Sequence, residues 1–135
     1  DYMQFGLDNE PWLALWAKEQ FSVMPNDWLI RHEVNDTALA TPDGLSLDHS
    51  VALEIKTTGK DWSKPPVNYV RQVQWQLYVV GADYCYFVWL LREEYESRLV
   101  PAWLEPKYTV IERDDTLITD MVYTAEELWT EIRGK

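Results

Sequence analysis

Apolar residues recur along parts of this chain at the spacing of helices. The clearest helix is predicted over 67–80, where valine and leucine fall at i, i+3, i+7 and i+10 and Gly81 follows as a terminator. An earlier helix is predicted to take Asp8 or Asn9 as its cap and Pro11 in its first turn. A closing helix is predicted from Asp114 or Asp115, and a capping-box pattern at 124–127 would let it restart there.

Alternating or continuous apolar stretches between these helices predict strands. Residues 28–34 and 37–40 are expected to form a hairpin about Asn35 and Asp36, and further strands are predicted over 51–56, 83–91 and 107–112. Residues 57–66 read as a polar loop and 92–106 as a charged, irregular connection. This order of elements predicts an α/β (α+β) domain.

The segment 41–56 contains the residues on which the functional interpretation depends. Asp43 lies on a Pro-Asp-Gly turn, and an apolar strand ends in Glu54, Ile55 and Lys56. Because side chains alternate between the two faces of a strand, Glu54 and Lys56 should point the same way and Ile55 into the core. Two carboxylates and one lysine can then meet at one edge of a sheet. These groups are the minimum for a magnesium-dependent phosphodiesterase.

Length and composition favour one folded domain over residues 1–135. Apolar residues make up 47% of the chain, which argues against disorder, and the longest apolar stretch is too short to span a bilayer. Cys85 is the only cysteine, so an internal disulfide and a four-cysteine iron–sulfur site within this chain are excluded. We expect a soluble cytoplasmic protein without a membrane partner and with a buried structural thiol.

The charge is strongly acidic but unevenly distributed. A net charge of -11 argues against a surface that binds nucleic acid everywhere. Residues 54–75 nevertheless carry four basic and two acidic side chains, and this basic segment could hold a phosphate backbone. Four solvated basic residues that lie near each other by chance explain the segment equally well. Trp62, in the same segment, could stack on a base, although packing against the body is the commoner role of a loop tryptophan.

Two further features have both a structural and a functional explanation. Glu10 is expected in the first turn of a helix, where a negative charge is favourable without any catalytic role. Gln72, Gln74 and Gln76 cluster on the helix that follows the acidic strand. Single glutamines on helices are usually solvated, but three within five positions beside a basic residue are less ordinary.

Together these features resemble the PD-(D/E)xK nuclease superfamily, and within it the phage-type recombination exonucleases of the lambda exonuclease and YqaJ-like viral recombinase kind. The similar segments are GLDNE (6–10), TPDGL (41–45), LEIK (53–56), YVRQVQ (69–74) and VIERD (110–114). The resemblance implies a restriction-endonuclease-like core, in which helices flank a central mixed β-sheet. It also implies a further N-terminal segment before Gly6, which we expect this chain to lack.

The resemblance also implies roles for individual residues. Asp43 and Glu54 would bind one or two Mg²⁺ or Mn²⁺ ions, with the backbone carbonyl of Ile55 and the carboxylate of Glu10 completing the site. Lys56 would activate or orient the attacking water, and Gln72 would orient Lys56 or a phosphate. The residues expected to contact DNA are Lys60, Lys64, Arg71 and Gln74.

The leading hypothesis is therefore a metal-dependent exonuclease that digests linear duplex DNA and leaves single strands for phage-type recombination. The resemblance implies DNA as its substrate, a single-strand annealing protein as a partner and a ring of identical subunits. Alternatives are a restriction-type endonuclease, a catalytically silent DNA-binding or assembly module on the same fold, and an α/β domain whose acidic residues are merely solvated.

Overall fold

The computed structural model describes residues 1–134, which form three helices and eight strands. The helices are α1 (Tyr2–Phe21), α2 (Val67–Val80) and α3 (Asp115–Arg133). The strands are β1 (Met24–Pro25), β2 (Ile30–Arg31), β3 (Leu39–Ala40), β4 (Gly44–Leu45), β5 (Val51–Thr58), β6 (Tyr84–Tyr95), β7 (Arg98–Pro101) and β8 (Lys107–Glu112).

A mixed sheet forms the centre of the molecule. Strands β5 and β6 are parallel and are joined through α2, with Lys56 beside Trp89 in the register. Strand β4 pairs antiparallel with β5, and β1 pairs antiparallel with β4. On the other side, β8 pairs antiparallel with the first half of β6 and β7 with its second half. The predicted mixed sheet flanked by helices is confirmed.

Helices α1 and α2 cover opposite faces of this sheet. Leu53 and Ile55 of β5 belong to the core on the α1 side, together with buried residues of that helix. Ala52 faces the α2 side, where it joins a core that includes Val73 and Leu77. Glu54 therefore points towards α2, as the alternation of the strand predicts. Cys85 lies in the α2-side core, and burial raises the pKa of its thiol well above its ordinary value.

The structure confirms the predicted helix over 67–80. The first helix, however, begins earlier than the predicted start at Asp8 or Asn9. Helix α2 ends at Gly81, whose φ of 74° is a left-handed conformation that glycine adopts readily. Helix α1 begins at Tyr2 with Asp1 as its cap, so Pro11 lies inside it. Packing of Phe5, Leu13 and other apolar residues of α1 against the sheet outweighs the backbone hydrogen bond that a proline lacks.

The second half of the chain is more regular than its composition predicts. Strand β6 continues to Tyr95 and turns back into β7 through Glu96 and Ser97, both with positive φ, within the region predicted to be irregular. Neither residue is the glycine or asparagine that usually marks such a turn, so this hairpin was missed. Helix α3 also runs without a restart, because the Thr124 hydroxyl donates to the carbonyl of Asp120 inside the helix.

Candidate active site

The turn that carries Asp43 is fixed to strand β5 by two hydrogen bonds. The backbone N–H of Asp43 donates to the carbonyl of Leu53 at 3.0 Å. The carboxylate of Asp43 accepts, through Oδ2, a hydrogen bond of 2.7 Å from the backbone N–H of Ile55. Asp43 is thereby held beside the middle of β5, where Glu54 lies between Leu53 and Ile55, the two residues that Asp43 contacts.

Gly44 allows this turn to lie close to its neighbours. A Cβ at this position would lie 2.9 Å from the carbonyl oxygen of Met24 and 3.0 Å from side-chain atoms of Leu53. Strands β1 and β5 lie on either side of β4, so a larger residue would push one of them away. The glycine of the Pro-Asp-Gly turn thus serves close packing beside Asp43.

Glu54 is almost fully buried and has partners on both carboxylate oxygens. Its residue exposure is 5%. Oε1 lies 3.2 Å from Nζ of Lys56, and Oε2 accepts a hydrogen bond of 2.7 Å from Nε2 of Gln76. A buried carboxylate is costly unless it is paired and hydrogen-bonded, and these two contacts meet that requirement.

Lys56 is held between Glu54 and an aromatic ring but still reaches solvent. Its ammonium nitrogen lies 4.8 Å from the centre of the Tyr69 ring, a distance at which a cation is attracted to the face of the ring. The side chain of Lys56 is 23% exposed. The ammonium can therefore approach a phosphate group brought to the site from outside.

The electrostatic state of Asp43 is unusual. Burial raises the pKa of this carboxyl, and the negative charge of Glu54 raises it further, to about 8. The hydrogen bond from Ile55 acts in the opposite direction, and the charge of Glu10 contributes less than that of Glu54. Crowding of carboxylates favours any cation that can neutralise them.

Glu10 lies at the same site from the other side. It is exposed and lines a cleft of about 370 Å³ together with Asp43, and further lining residues include Leu7, Asn26 and Asp27. The structure thus brings five of the predicted residues to one region, namely Glu10, Asp43, Glu54, Ile55 and Lys56.

The two glutamines with predicted roles, Gln72 and Gln74, differ in their exposure. Gln72 is exposed, and no hydrogen bond joins it to Lys56 among residues 1–134, so its role in orienting Lys56 stays a prediction. Its other assigned role, contact with a phosphate, also stays a prediction. Gln74 is 2% exposed, donates to the carbonyl of Glu112 and accepts from the N–H of Asp114. Gln74 therefore joins α2 to the start of α3, which argues against the predicted contact with DNA.

Two residues at the site were not predicted, Gln76 and Tyr69. With Val73 they occupy positions 69, 73 and 76, which form one stripe of α2 at helical spacing. The helical spacing of Tyr69, Val73 and Gln76 is visible in the sequence, but Gln72 and Gln76 are also four residues apart and share a face of the helix. Only the packing of α2 on β5 shows which glutamine faces Glu54.

The three basic residues predicted to contact DNA are exposed at the surface. Lys60, Lys64 and Arg71 form no ion pair within residues 1–134. Their assigned role in binding DNA stays a prediction.

The donor groups at this site suit a hard divalent cation, although they do not form a complete cage. Among residues 1–134 no group of three or more histidine, cysteine or acidic side chains is arranged to hold a metal ion. Mg²⁺ is commonly bound by one or two carboxylates, with water and substrate phosphates completing its shell. Asp43 and Glu54 provide such a pair, and their side chains are close enough to interact with each other.

The solved structures similar to this chain include exonucleases. The structure superposes over 98% of its length on an alkaline exonuclease from Laribacter hongkongensis, with a TM-score of 0.79 and 27% sequence identity, and it covers 69% of that protein. The complex of the same exonuclease with dAMP gives a TM-score of 0.78 and 28% identity, with the same shares of both chains covered. The chain has the fold of these enzymes.

A more distant structure supports the fold alone. A phage-related exonuclease from Haemophilus somnus superposes over 87% of this chain and 64% of its own, with a TM-score of 0.66 and 15% identity. Neither the protein-family models nor the curated proteins gave a match. None of the helices within residues 1–134 is long and apolar enough to cross a membrane.

Proposed function

We propose that this chain is the nuclease domain of a metal-dependent exonuclease of the PD-(D/E)xK type, which hydrolyses phosphodiester bonds of linear duplex DNA. The observation that carries the proposal is the juxtaposition of Asp43, on the turn before β4, with Glu54 and Lys56 of β5. Its support is chemical: two crowded carboxylates attract a divalent cation, and a lysine beside them can meet an anionic substrate. The likeness to an exonuclease solved with dAMP supports a deoxynucleotide substrate.

Asp43 and Glu54 would hold one or two Mg²⁺ or Mn²⁺ ions, with Glu10 and the carbonyl of Ile55 as further ligands. When bound, the metal would lower the pKa of a water molecule and offset the charge of the phosphate. Lys56 would orient that water or neutralise the charge that builds up on the attacked phosphate.

The neighbours of these residues would keep them in place during the reaction. Gln76 holds one oxygen of Glu54, and Tyr69 limits the positions of the Lys56 ammonium. Such outer contacts set the orientation of metal ligands and commonly affect activity strongly. No covalent nucleophile is required, because the attacking group is water.

Contacts with the DNA backbone are proposed for Lys60, Lys64 and Arg71, whose charges are free to meet phosphates. We further propose a role in phage-type recombination in the cytoplasm of the host cell, in which the single strand produced would pass to an annealing protein. A ring of identical subunits around the duplex would keep the enzyme on its substrate.

The proposal is tested with an end-labelled linear duplex and a closed circular plasmid, each incubated with Mg²⁺, Mn²⁺ or EDTA. We expect loss of the linear DNA with either metal, no loss in EDTA and an intact circle. Cleavage of the circle would indicate an endonuclease instead. If neither substrate is cut, while the protein still binds duplex DNA, the silent DNA-binding module becomes the better explanation.

A further inference from the structure

An exposed tryptophan, Trp28, directly follows residues that line the cleft of the candidate active site. The residue is 76% exposed, and its ring makes no hydrogen bond or ring contact within residues 1–134. The preceding residue, Asp27, lines the same cleft as Asp43 and Glu10. Exposure of so large an apolar side chain beside a cleft raises the question of what it binds.

The backbone of this segment is fixed to the turn that carries Asp43. Nδ2 of Asn26 donates to the carbonyl oxygens of Trp28, at 3.0 Å, and Pro42, at 2.8 Å. The N–H of Asn26 donates to the carbonyl of Asp43 at 2.9 Å. The indole is therefore presented from a backbone that is tied directly to the catalytic turn.

The charges around Trp28 favour a base over a phosphate as its ligand. Glu10, Asp27 and Asp43 line the cleft with acidic groups, which would repel any part of the DNA backbone that no metal ion neutralises. Stacking on an aromatic ring needs no positive charge, and it accepts any base because every base has a flat face. Leu29, which is 63% exposed, extends the apolar surface next to the indole.

Trp62, which could also stack on a base, is less accessible than Trp28. Trp62 is only partly exposed, and its ring lies 5.4 Å from that of Tyr69 and 6.4 Å from that of Phe87. Trp62 packs against the body of the protein, on the α2 side of the sheet.

We propose that Trp28 is a stacking platform for a nucleobase of the DNA end that enters the active site. This inference rests on the proposed function, because it places the base beside the scissile phosphodiester. Trp28 is a substrate-binding residue in this scheme and takes no part in the chemical step. Its loss should therefore change KM and leave kcat nearly unchanged.

The test uses hairpin DNA with one free end and 2-aminopurine as the last base of either strand, in separate probes. Binding is followed by quenching of the 2-aminopurine fluorescence with Ca²⁺ in place of Mg²⁺, and digestion is followed with Mg²⁺. Trp28→Ala and Trp28→Phe are compared with the wild-type protein. Trp129→Ala is the matched control, because Trp129 is 44% exposed on α3 and outside the cleft.

We expect Trp28→Ala to abolish the quenching and to raise both the dissociation constant and KM roughly tenfold, with kcat changed less than about twofold. Trp28→Phe should retain most of the affinity, and Trp129→Ala should behave as wild type. If Trp28→Ala fails to fold, as judged by circular dichroism, Trp28→Gln replaces it with the same expectations.

Failure of this inference can be distinguished from failure of the proposed function. If the wild-type protein digests DNA and Trp28→Ala has unchanged quenching and KM, the stacking role alone is overturned. If the wild-type protein digests nothing but still quenches the probe through Trp28, the proposed function fails and the stacking role stands. If Trp28→Ala alters only the association of the protein with a second copy, the surface binds protein and the stacking role is wrong.

Discussion

Nε2 of Gln76 donates a hydrogen bond of 2.7 Å to Oε2 of Glu54, and both residues are only 5% exposed. Oε1 of the same glutamine is buried and has no hydrogen-bond partner within residues 1–134. Gln76 thus donates a hydrogen bond to the Glu54 carboxylate, while its own side-chain oxygen is left without a hydrogen bond from the described residues. An arrangement that leaves a buried oxygen unpaired is explained more readily by the positioning of Glu54 than by stability.

Gln76→Leu is expected to lower kcat by about 10- to 100-fold, because Glu54 loses the donor that orients it. Removal of the unpaired oxygen offsets part of the lost hydrogen bond, so the free energy of unfolding should fall by no more than about 1–2 kcal/mol. Single-turnover digestion and urea unfolding measure the two quantities. Gln20→Leu is the control, because Gln20 is an exposed glutamine on α1. A variant with unchanged kcat would show that Gln76 does not position Glu54.

Lys56→Ala is expected to lower kcat by more than about 100-fold while the affinity for Mn²⁺ stays unchanged or increases. The lysine acts on water and phosphate, and removal of its positive charge lessens repulsion of the metal at Glu54. Mn²⁺ titration by calorimetry and a digestion assay measure both effects. Lys107→Ala is a suitable control, since Lys107 also forms an ion pair, with Asp61 at 3.4 Å, but is 49% exposed. Loss of metal affinity as large as that of Asp43→Ala would contradict this role.

Asp43→Asn is expected to stabilise the metal-free protein increasingly as the pH rises from about 4 to about 8. Folding raises the pKa of Asp43 from 3.8 to about 8, so the folded chain binds this proton more tightly than the unfolded chain does. Stability from this group is therefore complete below about pH 4 and is lost as the pH rises towards 8. The variant should gain up to about 6 kcal/mol at pH 9, since each of about four pKa units corresponds to about 1.4 kcal/mol, and nothing at pH 4.

Thermal unfolding in EDTA between pH 4 and pH 9, repeated with Mg²⁺, tests this expectation. Mg²⁺ should raise the Tm of the wild-type protein but not that of Asp43→Asn. Asp48→Asn provides a control of opposite sign, because hydrogen bonds from Ser50 and Ser46 hold the pKa of Asp48 at about 2. That variant should lose stability at neutral pH. A gain for Asp43→Asn that is equal at both ends of the pH range would exclude titration of Asp43 as its cause.

Gly44→Ala is expected to destabilise the protein by about 1–3 kcal/mol, because the new Cβ would meet the Met24 carbonyl at 2.9 Å. The displaced turn would also move Asp43, so the affinity for a divalent cation should fall. Chemical denaturation and metal titration measure these effects. Gly6→Ala serves for comparison, since its Cβ would lie an acceptable 3.4 Å from Oγ1 of Thr57 and alanine favours a helix. Equal stability of the two variants would show that β4 can shift without cost.

The sequence by itself determined the parts of this protein that depend on local pattern. Helix α2 was predicted over its observed range, because a regular apolar stripe and a terminal glycine define a helix without reference to the rest of the chain. The opposite directions of Glu54 and Ile55 followed from the period of a strand, and the Pro-Asp-Gly turn marked the position of Asp43. The candidate carboxylates and lysine were therefore available from residue types and spacing alone.

Only the tertiary structure decided which side chains meet across elements. The rotation of α2 against β5 brings Gln76 and Tyr69 to Glu54 and Lys56, and it turns Gln72 outwards. Packing against the sheet also carries α1 through Pro11, against its local preference. The raised pKa of Asp43 likewise arises from burial and from carboxylates distant in sequence. Local pattern fixes the face of each element, whereas contacts between faces depend on how the whole chain packs.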